Sequence, residues 1–228
     1  MTRMISQNPY SRSGHSAIGP KEGILFSDIR LHLALVLRSK NTHVFRPDIF
    51  RTTLEPSAEI LTALSKSHSL VKVRYICQEP LEDDRHLQFL PHMAAAVCDL
   101  GNGLAIYDVT AERMFTPKEM SDALAACLDV TGFDFHVNVI WERDLRSGHS
   151  ESKGLIKKGL PEICSEDAHL DQRVLVQEVI TEAARALWES REMAQQLEVA
   201  AFGDQFRVEV TKTKNGPYKA RIFRTGQG

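Results

Sequence analysis

The most regular alternation in the chain runs from Phe133 to Glu142. Phe133, Phe135, Val137, Val139 and Trp141 fall on one side of an extended strand, and Asp134, His136, Asn138 and Glu142 on the other. Ahead of it stands a helix start. Thr116-Pro117-Lys118-Glu119 combines a capping hydroxyl, a proline at the first helical position and a glutamate able to reach back to the cap amide. Met120, Ala123, Leu124, Cys127 and Leu128 then recur at helical spacing, and Gly132 closes the segment. Gly101-Asn102-Gly103 turns the chain into a strand from Leu104 to Val109. The stretch from Gly101 to Glu142 therefore predicts strand, loop, helix and strand.

The same pattern extends upstream. Ile29, Leu31, Leu33, Leu35 and Leu37 mark a first strand, and Val71, Val73, Tyr75 and Cys77 a second, opposite Lys72, Arg74 and Gln78. Helices are expected over 57–67 and from about Pro91 to Leu100, with the proline in the first turn. Four strand–helix alternations predict an α/β core over 23–142, with a mixed or parallel sheet of about four strands. Residues 1–22 are polar, rich in Ser and Gly, and read as a flexible arm. Residues 143–166 hold Gly148, Gly154, Gly159 and Pro161 among polar residues and read as a linker or long loop. From Asp167 to about Ala200 the pattern is one long helix with Val176, Val179, Ile180, Ala183 and Leu187 on its apolar stripe. Residues 205–211 and 217–223 flank Lys214-Asn215-Gly216, which predicts a C-terminal β-hairpin. The segment 167–228 is either a second unit or part of the same domain.

Composition narrows the class. A net charge of −2 over 228 residues gives no global pull toward nucleic acid or anionic lipid. The longest apolar runs, Leu33 to Leu37 and Met93 to Cys98, fall far short of the about 20 residues that cross a bilayer. Cys77, Cys98, Cys127 and Cys164 are widely separated, without the paired spacing of a zinc site. Together these predict a soluble cytoplasmic protein with reduced thiols, no membrane contact, no metal and no cofactor.

Candidate chemistry is sparse. The polar sides of the strands carry His136 and Glu142 beside Arg30, His32, Lys72 and Arg74. The loop after the third strand carries Asp108 and Glu112 at a strand's carboxyl end, where ligands bind in parallel sheets. His136, Glu142, Asp108 and Glu112 are thus the acid–base candidates of a hydrolase. Against this, Asp108 is equally suited to building a turn, and a one-sided sheet needs a polar face. Pro47-Asp48 and Glu151-Ser152-Lys153 are fragments of a metal-dependent nuclease signature. That chemistry needs Glu and Lys on a strand facing one metal, and 148–154 does not read as a strand.

Charge is segregated near the C-terminus. Arg207, Lys212, Lys214, Lys219, Arg221 and Arg224 interleave with Phe206, Tyr218 and Phe223, after a helix rich in glutamate. Such a ribbon either grips nucleic acid or lies along an acidic helix of its own or a sister chain. The leading expectation is a non-catalytic interaction or accessory protein that binds a protein partner or self-associates as a homo-oligomer. Its contact surface would comprise Val176, Val179 and Leu187 on the helix with Arg207, Lys212, Lys214, Lys219 and Arg221 on the hairpin. A nucleic-acid-binding accessory protein is the alternative, and a hydrolase the second alternative.

Overall fold

The computed structural model describes residues 30–45, 58–76, 84–126, 130–214 and 216–225 of the chain; Pro47 and Asp48 lie outside them. Contacts divide the chain into two compact units, Met1–Ile106 with Met114–Val130, and Tyr107–Arg113 with Thr131–Gly228. The architecture is mixed α/β, as the alternation predicts, but the strands do not form one four-stranded sheet.

In the first unit the aliphatic alternation forms β1 (Arg30–Leu37), followed by a 3-10 turn (Thr42–Phe45) and α1 (Ala58–Lys66). Strand β2 (Ser69–Ile76) pairs antiparallel with β1, from Arg30↔Ile76 to Leu37↔Ser69, and the two make a sheet of their own. Helix α2 (Arg85–Leu100) starts six residues before the expected Pro91, which is buried inside the helix. A proline there removes one backbone hydrogen bond, and the local rule against it yields to packing. Next come β3 (Ile106–Asp108) and β4 (Arg113–Phe115), the latter where the sequence reads as loop; Tyr107–Arg113 between their outer ends belongs to the second unit. Helix α3 (Pro117–Ala126) begins as its signature requires. The Glu119 amide donates to Thr116 Oγ1 at 3.1 Å, and the Thr116 amide to Glu119 Oε2 at 2.7 Å.

The second unit departs further from the sequence pattern. Phe133–His136 is not strand but one helical turn, α4, closed by the Val137 amide donating to the Phe133 carbonyl at 2.9 Å. The Arg113 guanidinium captures the Asp134 and Val137 carbonyls, so a side chain distant in sequence satisfies the turn. Only then does β5 (Asn138–Arg143) begin. Trp141 and Val139 are buried as the alternation requires, but His136 is buried too.

The 143–166 segment supplies strands at the middle of the sheet. It forms β6 (Ser147–Lys153), a 3-10 turn (Leu155–Lys158) and β7 (Ile163–Ser165). Short β8 (Ala168–His169) pairs with β6, and α5 spans Arg173–Ser190. The helical pattern past 195 gives way to a strand, β9 (Gln196–Ala201), followed by β10 (Asp204–Thr211) and β11 (Tyr218–Arg224). The sheet runs β5-β6-β7-β11-β10-β9, antiparallel throughout except between β7 and β11.

Helix α5 covers one face of this sheet. Val179, Ile180, Ala183, Ala184, Leu187 and Trp188 are buried with Ile163, Val199, Phe206, Val208, Val210 and Ala220. Each large aliphatic among them contributes about 1.5–3 kcal/mol by leaving water. Under the same helix β6 places Gly148, Ser150 and Ser152, all buried, while Ser147, His149, Glu151 and Lys153 alternate toward the other face. Gly148 admits no larger residue, since a Cβ there would lie 2.6 Å from the Trp141 indole and 2.5 Å from the Glu142 carbonyl oxygen. Among the described residues no helix is long and apolar enough to cross a membrane.

Candidate functional site

The face of the sheet turned away from α5 collects the ionisable groups of β5, β6, β7 and β11. Its geometry follows from register. Glu142 pairs with His149, Ile140 with Glu151 and Asn138 with Lys153, and directly opposed residues share a face. Glu151 in turn lies opposite Cys164, and Cys164 opposite Lys219, so those three form one row across three strands.

Three groups converge at the β5–β6 end. Glu142, His149 and Glu151 are half-buried, and each presents a ligand atom within 4.8 Å of the others. His149 Nε2 is 3.6 Å from Glu142 Oε2, while His149 Nδ1 is 3.4 Å from Asp167 Oδ1, so both edges of the ring meet carboxylates. Beside them the Lys153 ammonium is 2.7 Å from Glu151 Oε1 and 3.8 Å from Glu112 Oε1. These three side chains are only 11–13% exposed, which strengthens their pairing well beyond that of a surface ion pair.

Of the sequence candidates, Glu142 and Glu112 belong to this arrangement. Glu112 reaches it from the turn between β3 and β4, where its backbone is left-handed with φ 48°. Asp108 builds that turn, as the structural reading of the sequence allows. Its Oδ1 accepts the Thr110 and Ala111 amides at 3.0 and 3.1 Å, and its Oδ2 binds the Lys157 ammonium at 2.6 Å. Lys157 also donates to the His136 carbonyl at 2.9 Å. Burial lowers its pKa, with Asp108 opposing the shift. Asp108 therefore positions Glu112 rather than joining it.

His136 is not on the polar face. Its ring is buried and stacks on Trp188 at 5.7 Å between centroids, so it belongs to the core. Lys72 and Arg74 sit in the β1–β2 sheet, not in the sheet that carries Glu142. Val179 and Leu187 are fully buried beneath the sheet and Val176 is half-buried, so the apolar stripe of α5 is used within the chain. Arg207 lies over the Phe223 ring at 5.1 Å and beside Glu209 at 3.4 Å; Lys214 is exposed.

The remaining basic candidates line a groove of about 500 Å³ along β11. Lys212, Lys219 and Arg221 meet Thr211 and Thr213 there, with Glu166 and Asp167 on the near side. Arg221 Nε donates to Glu166 Oε1 at 2.7 Å. Through Asp167 the groove adjoins His149.

The sequence reading missed His149 and Asp167, and it set Glu151 and Lys153 aside because their segment lacks an apolar alternation. The available signal was an alternation of small residues, Gly148, Ser150 and Ser152, against His149, Glu151 and Lys153. Glu162 fixes the end of this strand. Its carboxylate accepts the Ser152 hydroxyl at 2.7 Å, the Gly154 amide at 2.8 Å and the Ile156 amide at 3.2 Å.

Burial raises the Glu162 pKa above its ordinary 4.5, and these hydrogen bonds only partly oppose the shift. The folded state then holds more protons than the unfolded one just above pH 4.5. The stabilisation is full below the unfolded value and is lost as pH rises through the folded value. The melting temperature of wild type relative to Glu162→Gln is therefore expected to fall between pH 4.5 and neutrality. Parallel pH profiles for the two proteins would contradict this. Comparison of the chain with family models, with curated proteins and with solved structures returned no match.

Proposed function

We propose that the protein is a divalent-metal-dependent hydrolase whose ion is held by Glu142, His149 and Glu151 on the sheet face turned away from α5. One observation carries the reading: two carboxylates and an imidazole converge within 4.8 Å beside a nearly buried ammonium. This donor set suits a borderline or moderately hard ion such as Zn2+ or Mn2+ better than a soft one. Three protein ligands also match the open sites of hydrolytic metal enzymes, which keep a position for water. A metal there would lower the pKa of a bound water and polarise a substrate oxygen.

The chain's own groups have separable tasks. Asp167 faces Nδ1 of His149 and so favours the tautomer whose Nε2 is a free donor toward the ion. Lys153 offers positive charge to an oxygen that becomes more negative in the transition state, and Glu112 restrains it from the far side. Glu151 serves both, since it is a ligand and the nearer partner of Lys153.

An interaction or accessory role would rest on Val176, Val179 and Leu187 of α5 together with the hairpin cations; Val179 and Leu187 are buried, whereas Lys212, Lys214, Lys219 and Arg221 are exposed. The test is direct. Calorimetry should show about one Mn2+ or Zn2+ bound per chain, and hydrolysis of bis(p-nitrophenyl) phosphate should require that ion and stop with chelator. Absence of metal binding, or hydrolysis indifferent to chelator, would overturn the reading.

A further inference from the structure

We propose that the groove along β11 is an anchoring subsite for a second phosphate of the substrate, which makes the substrate a multi-phosphate chain rather than a simple ester. This rests on the hydrolase reading for the position of the reacting group, but the groove has support of its own.

The first support is register. Lys219 lies two strands from Glu151 in the row Glu151, Cys164, Lys219. Strands lie about 4.8 Å apart, so the two Cα positions are separated by about 10 Å. A chain whose reacting phosphate sits at Glu142, His149 and Glu151 would therefore extend directly over Lys219. Arg221, two residues along the same strand, continues that face.

The second support is charge. Lys212, Lys219 and Arg221 share the groove with Glu166 and Asp167, and both acids are already engaged. Asp167 faces His149, and among the described residues Glu166 binds Arg221 through Nε, which orients the guanidinium with its terminal nitrogens toward a ligand. Lys219 Nζ is 3.7 Å from the Cys164 sulfur. Burial raises the pKa of that thiol despite the nearby lysine, so it stays protonated and does not cancel the ammonium.

A nucleic-acid strand and an inorganic or nucleotide polyphosphate present the same chemistry. The experiment uses the full chain without metal. Binding of a fluorescent 12-nucleotide single-stranded DNA is measured, with inorganic tripolyphosphate as competitor, across a salt series. One of the two probes is expected to bind, and which binds more tightly identifies the source. Lys219→Ala/Arg221→Ala should weaken binding at least about tenfold and flatten the salt dependence by about two ions. Lys66→Ala removes an exposed charge of α1, outside the groove, and should leave affinity unchanged.

Binding of neither probe would overturn the proposal, as would equal losses in the two variants. Metal calorimetry on Lys219→Ala/Arg221→Ala separates the readings. Retained metal binding with lost anion binding supports the subsite. Intact anion binding in a chain that takes up no metal would overturn the hydrolase reading instead.

Discussion

Replacing Glu151 by glutamine is expected to abolish metal-dependent hydrolysis and to lower metal affinity by more than the about 10–100-fold lost with an outer partner of a metal site. Glutamine keeps the shape but removes one of two anionic ligands. The same change strands Lys153. Its ammonium is 13% exposed and, among the described residues, would keep Glu112 as its anionic partner, at 3.8 Å, so a further loss of about 1–3 kcal/mol of stability is expected. Lys153→Gln provides the contrast. The ammonium competes with a metal for Glu151 Oε1, so its removal should leave metal affinity intact or higher, while the hydrolytic rate falls about 10²–10³-fold.

Calorimetry and steady-state rates on the two variants decide the matter. If Glu151→Gln binds metal like wild type, the ion is not held where the three ligand atoms converge. If Lys153→Gln loses metal and rate together, the lysine organises the site rather than acting on substrate. A metal-induced rise in melting temperature gives an independent readout, worth about 2.7 kcal/mol at a concentration one hundred times the Kd.

The second large effect is expected at Gly154, which follows Lys153 and turns the chain out of β6. Its φ is +119°, a conformation that residues with a Cβ avoid, and an added Cβ would lie 2.1 Å from the His136 carbonyl oxygen. Backbone strain of about 1–3 kcal/mol is therefore compounded by a clash with main chain that has little room to retreat. Gly154→Ala should cost more than about 3 kcal/mol in urea unfolding. Gly203→Ala is the matched control. It has φ +85° but no heavy atom within 4 Å of an added Cβ, so strain alone should apply, about 1–2 kcal/mol. Equal costs at the two sites would show that the contact at Gly154 is relieved by local movement.

These sites explain where sequence pattern stopped being informative. Local signals translate into structure where the cause is local. The Thr116 and Glu119 capping pair forms as written, because both partners lie within one helical turn. The Leu33, Leu35 and Leu37 alternation gives β1, and the Val179, Ile180, Ala183 and Leu187 spacing gives the buried stripe of α5. In α5 the contrast between apolar and polar positions also reports which side is buried, whereas in β1 it reports only the strand, since Leu35 and Leu37 are exposed.

That contrast is absent where the site lies. Strand β6 turns Gly148, Ser150 and Ser152 inward, and residues of this size show no hydrophobic period. They are buried because Ala183 and Ala184 let α5 approach the sheet closely and because Ser165, Ile163 and Glu162 supply hydrogen bonds to the strand. Conversely, Phe133 to His136 alternates like a strand but coils, since Arg113 captures its carbonyls from another part of the chain.

By itself, then, the sequence determined the mixed α/β class, the helix capped at Thr116, the apolar stripe of α5 and the presence of Glu142 and Glu112 among the acidic candidates. Only the tertiary structure decided that Glu142, His149, Glu151 and Lys153 share one face, and that His136 does not. The physical reason is that a shared face depends on cross-strand register. Register between β5, β6 and β7 is set by packing beneath α5, which brings together residues that no local pattern connects.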